Sequence, residues 1–205
     1  WVQRQLKGIE FEKKELAPDE VVIVMDTTYF KRLFGVMVWR CPHRHKNLLW
    51  KFLPYETISA YKDGIERLEA DGWKVVAIVC DGRRGLLQGF SVPVQMCQFH
   101  QAMIVTRYVT RRPKLEAGQD LQSLMRHLPD VGEAQFTHWL ELWYDKWGEF
   151  LKERTTDEIM KRWHYTHRRI RSAYYSMKRN LPHLFVYLDH PDLHIPNTTN
   201  SLEGI

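Results

Sequence analysis

Long apolar runs are missing from this chain. None of its 205 residues sit in a stretch near the ~18 needed to cross a bilayer, so no membrane-spanning helix is expected. Nothing at the start reads as a secretory signal. Cysteine is scarce: three residues, Cys41, Cys80 and Cys97, cannot all pair with one another. An odd, sparse count excludes full pairing and favours a reducing, intracellular setting, cytoplasm or nucleoid in a bacterium. Internal repeats and low-complexity tracts are absent too. The first residue is Trp rather than Met, so the sequence reads as a fragment of a longer protein.

What is present is enough for a core, with 44% hydrophobic and 13% aromatic residues. Net charge is +5, but it is unevenly spread. Residues 151–190 hold nine Lys or Arg against four acids, an excess equal to that of the whole chain. Such a stretch suits a polyanionic partner, although a solvated helix face has the same composition.

Residues 1–19 read as a linker or lead-in helix. Apolar runs at 20–26, 34–40 and 48–53 are rich in β-branched and aromatic residues and predict an antiparallel meander. The segment from Cys41 to Asn47, with Pro42, His43 and His45, supplies a turn. Residues 57–71 have helical spacing, with Ile58, Tyr61, Ile65 and Leu68 on one face. Trp73 to Cys80 reads as a strand covered on both faces. A short helix near 83–90, a fifth strand over 92–97 and a helix over 98–111 follow. Beyond Pro113 the strand signal stops. Leu121, Leu124, Met125 and Leu128 make one helical stripe, and Phe136, Leu140, Trp143 and Trp147 another. Residues 157–180 are expected to form one more helix, with Trp163, Ile170, Tyr174 and Met177 along it. The fold class is therefore α/β of the α+β kind, with a mixed five-stranded sheet at 20–112 and an all-helical insertion at 113–195. A final helix begins at 196–205.

Three acids stand out. Asp26 closes Val21-Val-Ile-Val-Met-Asp26, and Asp81 closes Val75-Val-Ala-Ile-Val-Cys-Asp81. Glu203 follows small polar residues in Asn197-Thr-Thr-Asn-Ser-Leu-Glu-Gly204. Each alone reads as a turn or helix-start acid. Two acids after two buried strands are the way to bring oxygen ligands for magnesium to one sheet edge, which is chemistry for phosphoryl transfer. Cys97-Gln-Phe-His100 has the spacing of half a zinc site. Nothing pairs it with Cys41, His43 and His45, so zinc is not expected, and the plainer role is packing at a strand-to-helix junction. Trp139, Trp143 and Trp147 are expected to be core. Arg162, Arg168, Arg169 and Arg171, with Lys178 and Arg179 beyond, interleave with Trp163, His164, Tyr165 and His167. That mixture suits nucleic acid, with Arg on phosphate and rings on bases.

In this order the motifs resemble the catalytic domain of Mutator-like transposases and their bacterial insertion-sequence relatives, which carry an Asp-Asp-Glu triad. The matching pieces are Val24-Met-Asp26-Thr-Thr, Val79-Cys-Asp-Gly82 with Gly85-Leu86, the Cys-x-x-His of Cys97 and His100, and the segment from Asn197 to Gly204. They cover about residues 20–205. The resemblance implies a ribonuclease-H-like core with an insertion before the last acid. It also implies Asp26, Asp81 and Glu203 as catalytic ligands of two Mg²⁺ or Mn²⁺ ions. DNA would be the partner, in a homodimer or higher oligomer. Strand cleavage would use water, and strand transfer a DNA 3′-hydroxyl. Two other readings stay open: a DNA-binding or self-associating fragment that does not cut, and a ribonuclease-H-like nuclease acting on other nucleic acids.

Overall fold

The computed structural model describes residues 17–31 and 33–202. Five strands form one mixed sheet in the order β3-β2-β1-β4-β5. Strands β1 (Glu20–Phe30), β2 (Phe34–Cys41) and β3 (Lys46–Leu53) run antiparallel, as the three apolar runs predict. The turn between β2 and β3 closes with His45 N–H donating to the Pro42 carbonyl at 3.2 Å. Strands β4 (Lys74–Cys80) and β5 (Val94–Met96) lie parallel beyond β1. A parallel neighbour needs a crossover, and helix α1 (Ile58–Ala70) provides it. Its N-terminus is capped by the Thr57 side chain, which accepts from Ala60 N–H at 3.1 Å. Its other end turns at Gly72, where φ is +94°.

The two faces of the sheet are covered differently. Val21, Ile23 and Met25 point into the main buried cluster, with Tyr61, Ile65 and Leu68 of α1. Ile58, expected on the same buried face, is exposed at the helix start. The alternate row, Val22 and Val24 with Ala77 and Val79, packs against Ile195 and the partly buried Leu193 and Leu202. The chain segment after the helical block therefore lies over the β1–β4 pair.

Short helix α2 (Arg84–Leu87) leads to β5, and helix α3 (Gln98–Val109) follows it. Helices α4 (Glu116–His127), α5 (Glu133–Trp147) and α6 (Arg168–Asn180) form the helical block, and a four-residue helix α7 (Val186–Asp189) comes after it. The block shares the main buried cluster with the sheet. Trp143 stacks on Tyr174 with centroids 5.3 Å apart and donates from Nε1 to the Ala117 carbonyl, joining α4, α5 and α6. Trp139 and Trp147 are only partly buried, Trp147 spending its N–H on Asp120.

Three expectations need correction. The insertion is not all-helical: β6 (Arg154–Asp157) and β7 (Arg162–Tyr165) form an antiparallel hairpin that takes the place of the first turns of the predicted 157–180 helix. The Asp157 carboxylate accepts from Ile159 and Met160 N–H at 3.0 Å each, an Asx-type turn. Thr155, Thr156, Trp163 and Tyr165 are strand formers, and they outweigh the loose helical stripe. Trp163 is accordingly exposed, while Ile170, Tyr174 and Met177 are buried on α6. Second, Asp26 does not end its strand, because hairpin pairing with β2 carries β1 on to Phe30. Third, residues 200–202 are a 3₁₀ turn. The expected lead-in over residues 1–16 lies outside the described residues.

Candidate functional site

Asp26 sits where β1 loses its parallel partner. Val24 pairs with Val79, and Asp26 and Asp81 each stand two residues further along. Asp26 continues the row of Val22 and Val24 on β1, and Asp81 is the first residue beyond β4, whose Ala77 and Val79 share that face, so the register brings both acids to the same end of the strand pair. Adjacent strands are ~4.8 Å apart, which sets the scale of the site. The Asp26 carboxylate accepts from Thr27 N–H at 2.8 Å, and its Oδ2 lies 3.8 Å from His100 Nε2. Asp81 accepts from Arg83 N–H at 3.0 Å and from Arg83 Nε at 3.1 Å.

A third acid completes the described part of the site, and it is Glu56, just ahead of α1. Its Oε2 is ion-paired with Arg83 Nη2, and its Oε1 accepts from the Tyr61 hydroxyl at 2.6 Å. Tyr61 in turn receives the Thr27 hydroxyl at 2.9 Å. Burial raises the Glu56 pKa above the usual carboxylate range. The Tyr61 hydrogen bond and Arg83 pull it back, while Asp81 and Asp26 push it up. The charges of all three acids are thus coupled. Burial and the bond to Glu56 also raise the Tyr61 phenol pKa, so it stays protonated. Sequence reasoning missed Glu56 and Arg83. The only signal was an acid at the helix N-terminus and an Arg beside Asp81, both common.

Cys97 and His100 lie at the start of α3, beside Asp26. Cys97 N–H donates to the Cys80 carbonyl at 2.8 Å, which ties the motif to the end of β4. Its sulfur accepts from Thr199 N–H at 3.3 Å and contacts the Thr199 hydroxyl at 3.4 Å. Gln98 N–H donates to the Asn197 carbonyl, and the Asn197 amide returns a bond to Gln98. The segment 197–199 is therefore pinned to α3. The buried Nδ1 of His100 has no hydrogen bond of regular geometry among the described residues, and the Cys97 side chain is in contact with the imidazole. That contact, with the charges of Asp26 and Asp81, outweighs burial and raises the His100 pKa to about 9. For Cys97, burial opposes ionisation, but His100 and Thr199 outweigh it and lower the thiol pKa. A group raised on folding stabilises the fold fully below its unfolded value, here 6.5, and that contribution is lost as pH rises through about 9. The His100 imidazole should titrate near 9 by NMR, and its midpoint should fall in Cys97→Ser. A midpoint unmoved by that substitution would remove Cys97 as the cause.

A row of buried amides holds the helical block to the sheet. Gln95 and Gln98 both donate to the Leu184 carbonyl, and Gln101 links Ser176 with Asn180. Buried amides cost stability unless paired, and here they are paired.

The basic residues divide by what they touch. Arg169 donates to the Arg107 and Tyr108 carbonyls at 2.7 Å each and so closes the C-terminus of α3. Arg171 lies over the Tyr165 and Tyr175 rings, at 4.0 and 4.7 Å. Arg162 on β7, and Arg168, Lys178 and Arg179 on α6, are exposed and form no ion pair with a described residue. His43 bonds the His194 carbonyl, and His45 lies in the β2–β3 turn.

Glu203 lies outside the described residues. The residue before it, Leu202, packs on the strand face that carries Asp26 and Asp81, and the 3₁₀ turn Asn200–Leu202 touches β1. Among the described residues, no three His, Cys, Asp or Glu side chains are gathered for a metal ion. Asp26 and Asp81 nevertheless fit a hard divalent cation: they are two carboxylate oxygen donors at the same end of the β1–β4 pair, and both add negative charge that reaches Glu56. No helix among the described residues is long and apolar enough to cross a membrane. The sequence matches no family model, and a search of curated proteins gave no match.

Proposed function

We propose that this chain is the catalytic domain of an Asp-Asp-Glu transposase, acting on DNA by phosphoryl transfer. The observation that carries the reading is the placement of Asp26 on β1 and of Asp81 directly after β4, at the same end of two adjacent strands, with Leu202, next to Glu203, packed on the apolar face of that strand pair. The sheet order, with three antiparallel strands followed by two parallel ones, supports a ribonuclease-H-like core. Magnesium or manganese, when bound by Asp26, Asp81 and Glu203, would activate the attacking oxygen and stabilise the leaving 3′-oxygen. The protein's own contribution is placement. The backbone N–H of Thr27 and of Arg83 orient the two carboxylates, and Cys97 fixes the approach of the last segment through Thr199. His100 adds positive charge beside Asp26.

The test is strand cleavage of duplex DNA carrying the sequences that flank the protein's own gene, with Mg²⁺ or Mn²⁺. An RNA–DNA hybrid serves as the competing substrate. Cleavage of the DNA that is lost in Asp81→Asn supports the reading. Preference for the hybrid favours a nuclease, and binding without cleavage favours a fragment that only binds.

DNA contact is assigned to the exposed basic residues of the hairpin and α6. Each phosphate contact contributes about 0.9 to the salt slope of binding. Neutralising Arg162 and Arg168 together should therefore lower that slope by about 2. Arg169→Gln should instead destabilise the fold by about 1 kcal/mol, since it uncaps helix carbonyls. An unchanged slope in the double variant would take the hairpin out of the interface.

A further inference from the structure

We propose that Arg83 is a built-in counter-cation of the carboxylate site: without metal its guanidinium holds Asp81, and Glu56 is the dock on which it stays when a divalent ion takes Asp81 over. The inference rests on the metal-binding reading of Asp26 and Asp81. Arg83 uses different nitrogens for the two acids, Nε for Asp81 Oδ2 at 3.1 Å and Nη2 for Glu56. One bond can therefore open while the other holds. The two acids differ in how far they depend on Arg83. The Glu56 side chain is 9% exposed and that of Asp81 20%. Glu56 is also fixed from its other side, by Tyr61 and through it Thr27. A carboxylate buried that deeply is costly without a partner, so the guanidinium stays with Glu56. Asp81 also keeps the Arg83 backbone N–H on Oδ1, which does not depend on the Arg83 side chain. Releasing the guanidinium frees Oδ2 and leaves the carboxylate oriented.

A metal ion and a guanidinium repel each other and cannot share Oδ2. The fork thus sets a competition that metal must win, and it keeps neighbouring carboxylates neutralised until then. Glu56 acts through Arg83 and is a positioning residue rather than a ligand.

Mn²⁺ binding to the metal-free chain, followed by electron paramagnetic resonance at ~0.15 M salt to screen distant charges, tests this. Arg83→Gln should tighten Mn²⁺ binding about tenfold by removing the competing charge. Arg83→Lys, which keeps the charge but loses the fork, should tighten it about threefold. Arg84 is the control: it is exposed and bonded to Gln88, and Arg84→Gln should change affinity less than about twofold. In Glu56→Gln/Arg83→Gln the gain over wild type should persist. Its loss would mean that Glu56 had become a ligand, and would overturn the dock. Equal gains from Arg83→Gln and Arg84→Gln, or no gain from Arg83→Gln, would also overturn the proposal. Asp26→Asn separates the two levels. If it leaves Mn²⁺ binding unchanged, or wild type binds no Mn²⁺, the site assignment itself falls. If it weakens binding while Arg83→Gln gives no gain, only the counter-cation falls.

Discussion

Asp81→Asn should lower metal-dependent DNA cleavage by about a thousandfold or more while leaving the protein folded. The two halves of that expectation have separate grounds. Asp26 on β1 and Asp81 directly after β4 stand at the same end of two neighbouring strands, so Asp81 supplies one of the two described carboxylates. An amide has one oxygen and no charge, which is a poor ligand for a hard cation. The fold should tolerate the change for local reasons. Asn keeps an oxygen for the Arg83 N–H, now bonded at 3.0 Å. The ion pair that is lost involves a guanidinium 40% exposed, and such pairs contribute only about 0–1 kcal/mol. Cleavage assays with urea denaturation of the same variant would read both. Undiminished cleavage would end the assignment of Asp81 to the reaction.

The second large effect is on stability. Gly64→Ala should destabilise the fold by about 3 kcal/mol, a fall in Tm of about 10 °C. Two terms compete at this position. Alanine in a helix interior is favoured over glycine by about 1 kcal/mol. Against that, a Cβ on Gly64 would lie 2.0 Å from Cζ2 and 2.1 Å from Cε2 of Trp39. Trp39 is fully buried, and its indole N–H donates to the Tyr61 carbonyl at 3.3 Å, so the ring has no room to yield. Steric overlap wins, and α1 must shift. The shift matters beyond stability, because Tyr61 on the same helix joins Thr27 to Glu56 at the edge of the site. Thermal denaturation checks it. A stabilised variant would show that α1 does not rest on Trp39.

Much of this architecture was legible in the residues. Apolar runs of strand length predict all five strands; β4 is covered on both faces, whereas β3 is largely exposed and is legible from its aromatic and apolar composition. The stripes of Leu121 and Met125, and of Phe136, Leu140 and Trp143, predict helices, and those side chains are buried. The hairpin over 154–165 was not legible. Its strands are four residues each, too short for an alternating pattern to stand out beside a longer helix. Glu56 was equally invisible, since nothing local distinguishes it from any acid near a helix start.

Asp26 and Asp81 could be chosen from sequence because each follows a run that must be buried; alone either reads as a turn residue, and it is the two together that point to one sheet edge. Their place at the same end of the strand pair could not be read that way. It depends on the register of β1 against β4, which shifts at an irregularity between Val21 and Val22, and one residue of slip would turn one acid to the opposite face. The pairing of Glu56 with Arg83, and of Cys97 with Thr199, spans 27 and 102 residues. Periodicity is a property of neighbours along the chain, so it determined the elements and named two of the acids. Which side chains meet at the sheet edge was decided by how those elements pack, through contacts that no local pattern encodes.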